Sequence, residues 1–122
     1  MIVDDEEAAR YGMRRALSTF GYNITEAGSA EAARALLKQN EPDLLLLDVN
    51  LPGLSGIDTL HMLRADVKTA RIPAIALSAN AMPQDIDKGM NAGFCRYLTK
   101  PIRIDEFMAC VEQTLQATAA LD

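Results

Sequence analysis

The chain has 122 residues, 49% of them hydrophobic and 24% charged, with a formal net charge of -5. That supplies one compact core, and the negative balance excludes the Lys- and Arg-led neutralisation of phosphates on which nucleic-acid binding depends. No run nears the roughly 18 consecutive apolar residues of a membrane span, and the opening "MIVDDEEAAR" lacks the basic and apolar regions of a signal peptide, so a cytoplasmic protein without direct membrane contact is expected.

Short β-type runs alternate with longer helical ones. "MIV" (1–3) predicts a strand and Glu6 to Phe20 a helix, with Ala9, Met13, Ala16, Leu17 and Phe20 on its buried face and Glu7, Tyr11, Arg14 and Ser18 opposite. Gly21 follows as a stop. "YNIT" (22–25) predicts the second strand, Ser29 a cap, and Ala30 to Gln39 the second helix. "DLLLLD" (43–48) is the third strand, and its continuous apolar run predicts burial on both faces, as in a parallel sheet between helices. Ile57 to Arg64 is the third helix, "PAIALS" (73–78) the fourth strand, and Pro83 to Ala92 the fourth helix, opened by a proline and closed by Gly93. "CRYLT" (95–99) and Ile104 to about Gln116 complete the series, the last helix burying Ile104, Phe107, Met108, Val111 and Leu115.

Five βα units predict a doubly wound α/β fold with a five-stranded parallel sheet and five helices, one domain over residues 1–122. Three residues before the acidic pair make a curtailed first strand, the pattern of a piece excised from a longer protein. Cys95 and Cys110 have neither CxxC spacing nor histidine partners and read as free thiols.

Ligands of open parallel sheets bind beyond the carboxyl ends of the strands. There the sequence gathers Asp4 and Asp5, Asp48, Ser78, and Thr99 with Lys100. Taken singly, Asp5 reads equally well as a helix cap, Ser78 as a loop serine and Lys100 as a solvated turn. Asp48 is different, because a carboxylate closing a doubly covered strand is costly unless something there wants negative charge. Three clustered carboxylates repel one another unless a cation sits among them, and an all-oxygen set suits Mg2+. Asp48 is then the available nucleophile, able to form an aspartyl phosphate, with Lys100 neutralising phosphoryl oxygens and Ser78 hydrogen-bonding to one.

"VDDE", "LLLLDVNLPGLSG", "ALSAN" and "YLTKP", in that order and spacing, resemble the response-regulator receiver domains of two-component signalling over essentially the whole chain. The resemblance implies a flavodoxin-like sheet of order 2-1-3-4-5. It also implies Asp48 as phosphoacceptor, Asp5 as a direct Mg2+ ligand, Asp4 acting through water, and the Asn50 carbonyl as a further ligand. Ser78 and Tyr97 become the switch pair, Lys100 the phosphoryl-binding lysine, and the bond before Pro101 cis. The implied function is to accept a phosphoryl group from a histidine kinase or a histidine phosphotransfer domain and to signal by changing conformation. The domain would assist its own phosphotransfer and autodephosphorylation without being a turnover enzyme. "ALSANAMPQDIDKGMNAGFCRYLTKPI" is more narrowly similar to receivers of hybrid histidine kinases. In such receivers the first helix faces the partner, which nominates Tyr11 and Arg14 as docking residues.

Two rivals share parts of this pattern. A haloacid-dehalogenase-type phosphohydrolase would carry a second Asp two residues after the nucleophile, where Asn50 stands. A flavodoxin-like carrier would bind a flavin phosphate just after the first strand, where "DDEE" would repel it.

Overall fold

The computed structural model describes residues 1–53 and 55–121, with backbone alone for 119–121. Leu54, within the predicted loop after the third strand, lies outside the described residues. In chain order the elements are β1 (Ile2–Val3), α1 (Glu7–Thr19), β2 (Glu26–Ala27), α2 (Ala30–Leu37), β3 (Leu45–Asp48), α3 (Gly56–Ala65), β4 (Ala74–Ser78), α4 (Pro83–Ala92), β5 (Arg96–Thr99) and α5 (Ile104–Leu121). All strand pairs are parallel and the order is β2-β1-β3-β4-β5, as expected.

Side-chain alternation explains the uninterrupted leucines. Leu45 and Leu47 of β3 point to one face with Val3, Ala74 and Ala76, where Ala30 and Ala33 of α2 and Leu60 and Leu63 of α3 cover them. Leu44 and Leu46 point to the other with Ile2, Ile75 and Leu77, under Met13 and Leu17 of α1 and Phe107 and Val111 of α5. Both faces are dry, so every residue of β3 must be apolar until the strand emerges at Asp48.

The helix signals behave as their chemistry requires. Ser29 Oγ accepts from the Ala32 N–H at 3.1 Å, Pro83 opens α4, and Gly93 ends it at φ 118°. Ser55, which the sequence reading passed over, caps α3 through the Asp58 N–H at 3.2 Å. Among the described residues no helix is long and apolar enough to cross a membrane.

Several boundaries differ from expectation. β2 forms at Glu26–Ala27 instead of 22–25, because this edge strand has one neighbour, β1, and β1 offers only Ile2 and Val3 to pair with. Phe20 is 69% exposed, not buried. It is the C-cap of α1, with φ -97° and ψ 11°, so the helical screw no longer directs its side chain. Ile104 is also exposed, as the first residue of α5, ahead of the turn that buries Phe107. α5 runs on to Leu121, past the expected Gln116, through the helix-favouring "ATAA".

Phe107 and Phe20 should therefore respond differently to truncation. Phe107→Ala, at a fully buried ring, should cost about 3–5 kcal/mol in denaturant unfolding, whereas Phe20→Ala should stay within ~0.5 kcal/mol.

Candidate functional site

Register brings the polar residues to one rim. Val3 pairs with Leu47, so the next residues, Asp4 and Asp48, leave the sheet level with each other; Ser78 pairs with Thr99, which puts Lys100 one step beyond. The backbone continues the ladder there, with Asp4 N–H to Ala27 O at 3.1 Å and Lys100 N–H to Ser78 O at 2.7 Å. Carboxylate oxygens of Asp4, Asp5 and Asp48 lie within 4.8 Å of one another. The Lys100 ammonium reaches into the cluster, 2.9 Å from Asp4 Oδ2, 3.2 Å from Asp48 Oδ2 and 3.1 Å from Glu6 Oε1. The Lys100–Pro101 bond is cis, as the resemblance implied.

Each carboxylate is used differently. Asp48, 3% exposed, takes the Asn50 N–H on Oδ1 at 2.8 Å and faces Lys100 with Oδ2. Asp4 is fully buried; its Oδ1 accepts the Glu6 N–H at 2.9 Å, while Oδ2 has no hydrogen-bond donor despite the nearby ammonium. Asp5 is exposed, just before α1, and accepts no hydrogen bond among the described residues. A buried carboxylate oxygen whose one partner is the shared Lys100 ammonium, an uncommitted carboxylate and a third on a strand end form an all-oxygen set that fits a hard divalent cation.

Burial is the largest influence on Asp48 and raises its proton affinity; the Asp4 charge adds to it, and the Asn50 N–H and Lys100 oppose it. Burial likewise works against the Lys100 ammonium, but its contacts with Asp4 and Glu6 and the charges of Asp4 and Asp48 outweigh that and hold its pKa above the usual lysine range. The cluster is a set of repelling carboxylates held by one cation.

Ser78 is buried at the end of β4. Its Oγ accepts from Asn50 Nδ2 at 3.2 Å and from the Asn80 N–H at 3.0 Å and donates no hydrogen bond among the described residues. Tyr97 is half-buried on β5, and its hydroxyl donates to the Asn80 carbonyl at 2.9 Å. Ser78 and Tyr97 thus meet through Asn80. Among the described residues, neither docking candidate on α1 makes a hydrogen bond or ion pair with Asp4, Asp5 or Asp48. Tyr11 is 50% exposed and accepts from Arg15 Nη1 at 3.2 Å. Arg14 is half-exposed; its guanidinium lies 5.3 Å from the Tyr11 ring centroid and is drawn inward to Glu26 Oε2 at 2.6 Å.

Sequence reasoning missed four supporting residues. Glu6 gives Lys100 a further carboxylate, and Arg10 holds the Asp4 carbonyl through Nη1 at 2.6 Å. Asn80 links the switch candidates; it lies in the quoted "ALSAN" but carries no charge to attract notice. Gly56 starts α3 directly against β3, where a Cβ would meet the Asp48 carbonyl and stand 2.7 Å from Val49 Cα. Its signal was the second glycine of "LPGLSG".

A parallel sheet between helices, with a lysine and carboxylates that could hold a metal ion at its carboxyl rim, defines a doubly wound α/β domain with a candidate cation site. Comparisons narrow that class. The family model described as response regulator receiver domain matches residues 1–112. The phosphate regulon transcriptional regulatory protein PhoB of Pseudomonas aeruginosa is 37% identical over 122 residues, covering 100% of this chain and 53% of that protein. The DNA-binding dual master transcriptional regulator RpaA of a Synechocystis species is 36% identical over 118 residues, 97% of this chain and 49% of its own. Among solved structures, the receiver domain of NtrX from Brucella abortus superposes with TM-score 0.87 at 25% identity, covering 94% of this chain and 96% of that one. The chain belongs to the response-regulator receiver family of two-component systems, and it spans about half the length of the curated relatives it matches.

Two predictions follow from the packing and charge of the rim. Gly56→Ala should destabilise the fold by about 1–3 kcal/mol, read from chemical denaturation, because the clash is with backbone that cannot swing aside. Since burial raises the folded-state pKa of Asp48 above the ordinary value of 3.8, its contribution to stability is fullest below that value and is lost as pH rises through the folded pKa. Asp48→Asn in EDTA at neutral pH should therefore melt higher than wild type, and the gap should narrow as pH falls through the carboxylate range.

Proposed function

We propose that Asp48 accepts a phosphoryl group from a phosphohistidine. The observation that carries this reading is the Lys100 ammonium set between Asp4 and the buried Asp48, beside carboxylates able to hold a divalent cation. In the transfer an Asp48 carboxylate oxygen attacks phosphorus, the phosphorus–nitrogen bond breaks, and the imidazole leaves with the bonding pair. Burial keeps the ionised carboxylate poorly solvated and nucleophilic. Lys100 offers its charge to the incoming phosphoryl oxygens, and the Ser78 hydroxyl has a proton to donate to one of them. Asp5, Asp48 and the Asn50 carbonyl, with Asp4 through water, would hold Mg2+, which supplies charge neutralisation of the phosphoryl group when bound. Hydrolysis of the acyl phosphate returns the domain to its start, so it is a signalling acceptor that assists its own phosphorylation and dephosphorylation.

The donor is a histidine kinase or a histidine phosphotransfer domain. Tyr11, an exposed aromatic on α1 with two guanidinium groups within 6 Å of its ring centroid, offers the kind of anchor that interfaces favour. A hybrid-kinase parent is supported by the resemblance of residues 76–102; the names of the curated relatives favour a transcriptional regulator instead. The site chemistry is the same in both parents.

Incubated with a small phosphodonor and Mg2+, the chain should gain one phosphoryl mass. Asp48→Ala or EDTA should abolish the adduct, and Lys100→Ala should slow its formation about a hundredfold. An adduct surviving Asp48→Ala would overturn the assignment. Tyr11→Ala should slow transfer from a phosphohistidine protein while leaving small-donor labelling unchanged; equal loss with both would mean an active-site or folding defect, and no loss with either would end its docking role.

A further inference from the structure

Gly89 lies within α4, where glycine gives up helix stability that alanine would supply. It is buried, and the space of its absent Cβ is taken by the Tyr97 ring: an ideal Cβ would stand 3.0 Å from both Cδ2 and Cε2. The Phe94 ring, at 3.8 Å, would be an ordinary contact. Tyr97 alone stands in the way.

The same ring begins a continuous set of hydrogen bonds. Its hydroxyl holds the Asn80 carbonyl, the Asn80 N–H holds Ser78 Oγ, Asn50 Nδ2 holds that same oxygen, and the Asn50 N–H holds Asp48 Oδ1. These bonds join β5, the loop after β4 and the end of β3 without a gap, and α4 meets the set where Gly89 lies against the Tyr97 ring.

We infer that Gly89 is a positioning residue: its bare Cα lets the Tyr97 ring lie against α4 at the depth where the hydroxyl holds Asn80, and this fixes Ser78 beside Asp48. The inference rests on Asp48 and Ser78 binding the phosphoryl group, as proposed above. A methyl at position 89 requires its neighbour to give by a few tenths of an ångström, and the group it meets is the half-buried Tyr97 ring, which can move outward. The displaced hydroxyl loses Asn80, the β4–α4 loop loses its tether, and Ser78 is no longer held ready for a phosphoryl oxygen.

The test is titration of the 122-residue chain with beryllofluoride, a phosphoryl mimic, in Mg2+, followed by NMR in wild type and variants. Gly89→Ala should shift the Tyr97 ring signals before any ligand is added and weaken beryllofluoride binding about fivefold. Tyr97→Phe, which removes only the hydroxyl, should weaken it similarly. In a Tyr97→Ala background, Gly89→Ala should have no further effect on affinity and should raise the melting temperature, since alanine then adds helix stability without meeting the ring. Unchanged affinity and unchanged ring signals in Gly89→Ala would overturn the inference. So would an equal loss in the Tyr97→Ala background, because Gly89 would then act through the helix and not through the ring. If Gly89→Ala does not fold, unaltered binding by Tyr97→Phe overturns it instead. Failure of the wild type to bind beryllofluoride would refute the phosphoacceptor reading, while the ring signals would still report whether Gly89 seats Tyr97.

Discussion

Everything at the rim depends on one ammonium among repelling carboxylates. Lys100 lies within 3.2 Å of oxygens on Asp4, Glu6 and Asp48, two of these carboxylates being almost wholly removed from water. Coulomb repulsion at such distances strengthens as solvent is excluded, so the cluster would drive its members apart or force protons onto them without a cation in reach. One lysine leaves the set short of positive charge. That shortage is the ground for the proposed binding of a divalent cation and, with it, of a dianionic phosphoryl group, and the Asp4 charge adds to the burial that raises the proton affinity of Asp48.

The fold exists to hold that arrangement against its own repulsion. Side chains of β3 are gripped from both faces, by α2 and α3 on one and α1 and α5 on the other, so Asp48 cannot retreat along its strand. Asp4 is fixed through Arg10 on its carbonyl, and the start of α3 is pressed onto the backbone of β3 at Gly56. By contrast, the neutral side of the rim is held by single hydrogen bonds through Asn50, Asn80 and Tyr97. The proposed switch needs one half of the rim held more firmly than the other, since a ligand shifts a population only where two arrangements lie close in energy.

The sheet and the charged residues were legible in the sequence because burial leaves a local signature. A short unbroken "LLLL" bounded by turn residues reads as a strand covered on both faces, and a carboxylate closing it, with acids and a lysine at the ends of other strands, is improbable without a shared purpose. What was not legible depended on tertiary contacts. The position of β2 followed from how little of β1 there is to pair with, and the exposure of Phe20 from the way α1 ends. Gly56 and Gly89 are meaningful only for what occupies the missing Cβ, and Asn80 for its two neighbours in space. Periodicity cannot reveal these, because none of them repeats.

The most direct test of the charge shortage at the rim is thermal melting against added Mg2+, compared with NaCl at matched ionic strength. Specific binding to the native cluster predicts a saturable rise with Mg2+ that follows the ligand-linkage law, exceeds the effect of NaCl, and is strongly reduced in Asp5→Asn. Equal responses to the two salts, or a full Mg2+ response in Asp5→Asn, would contradict it.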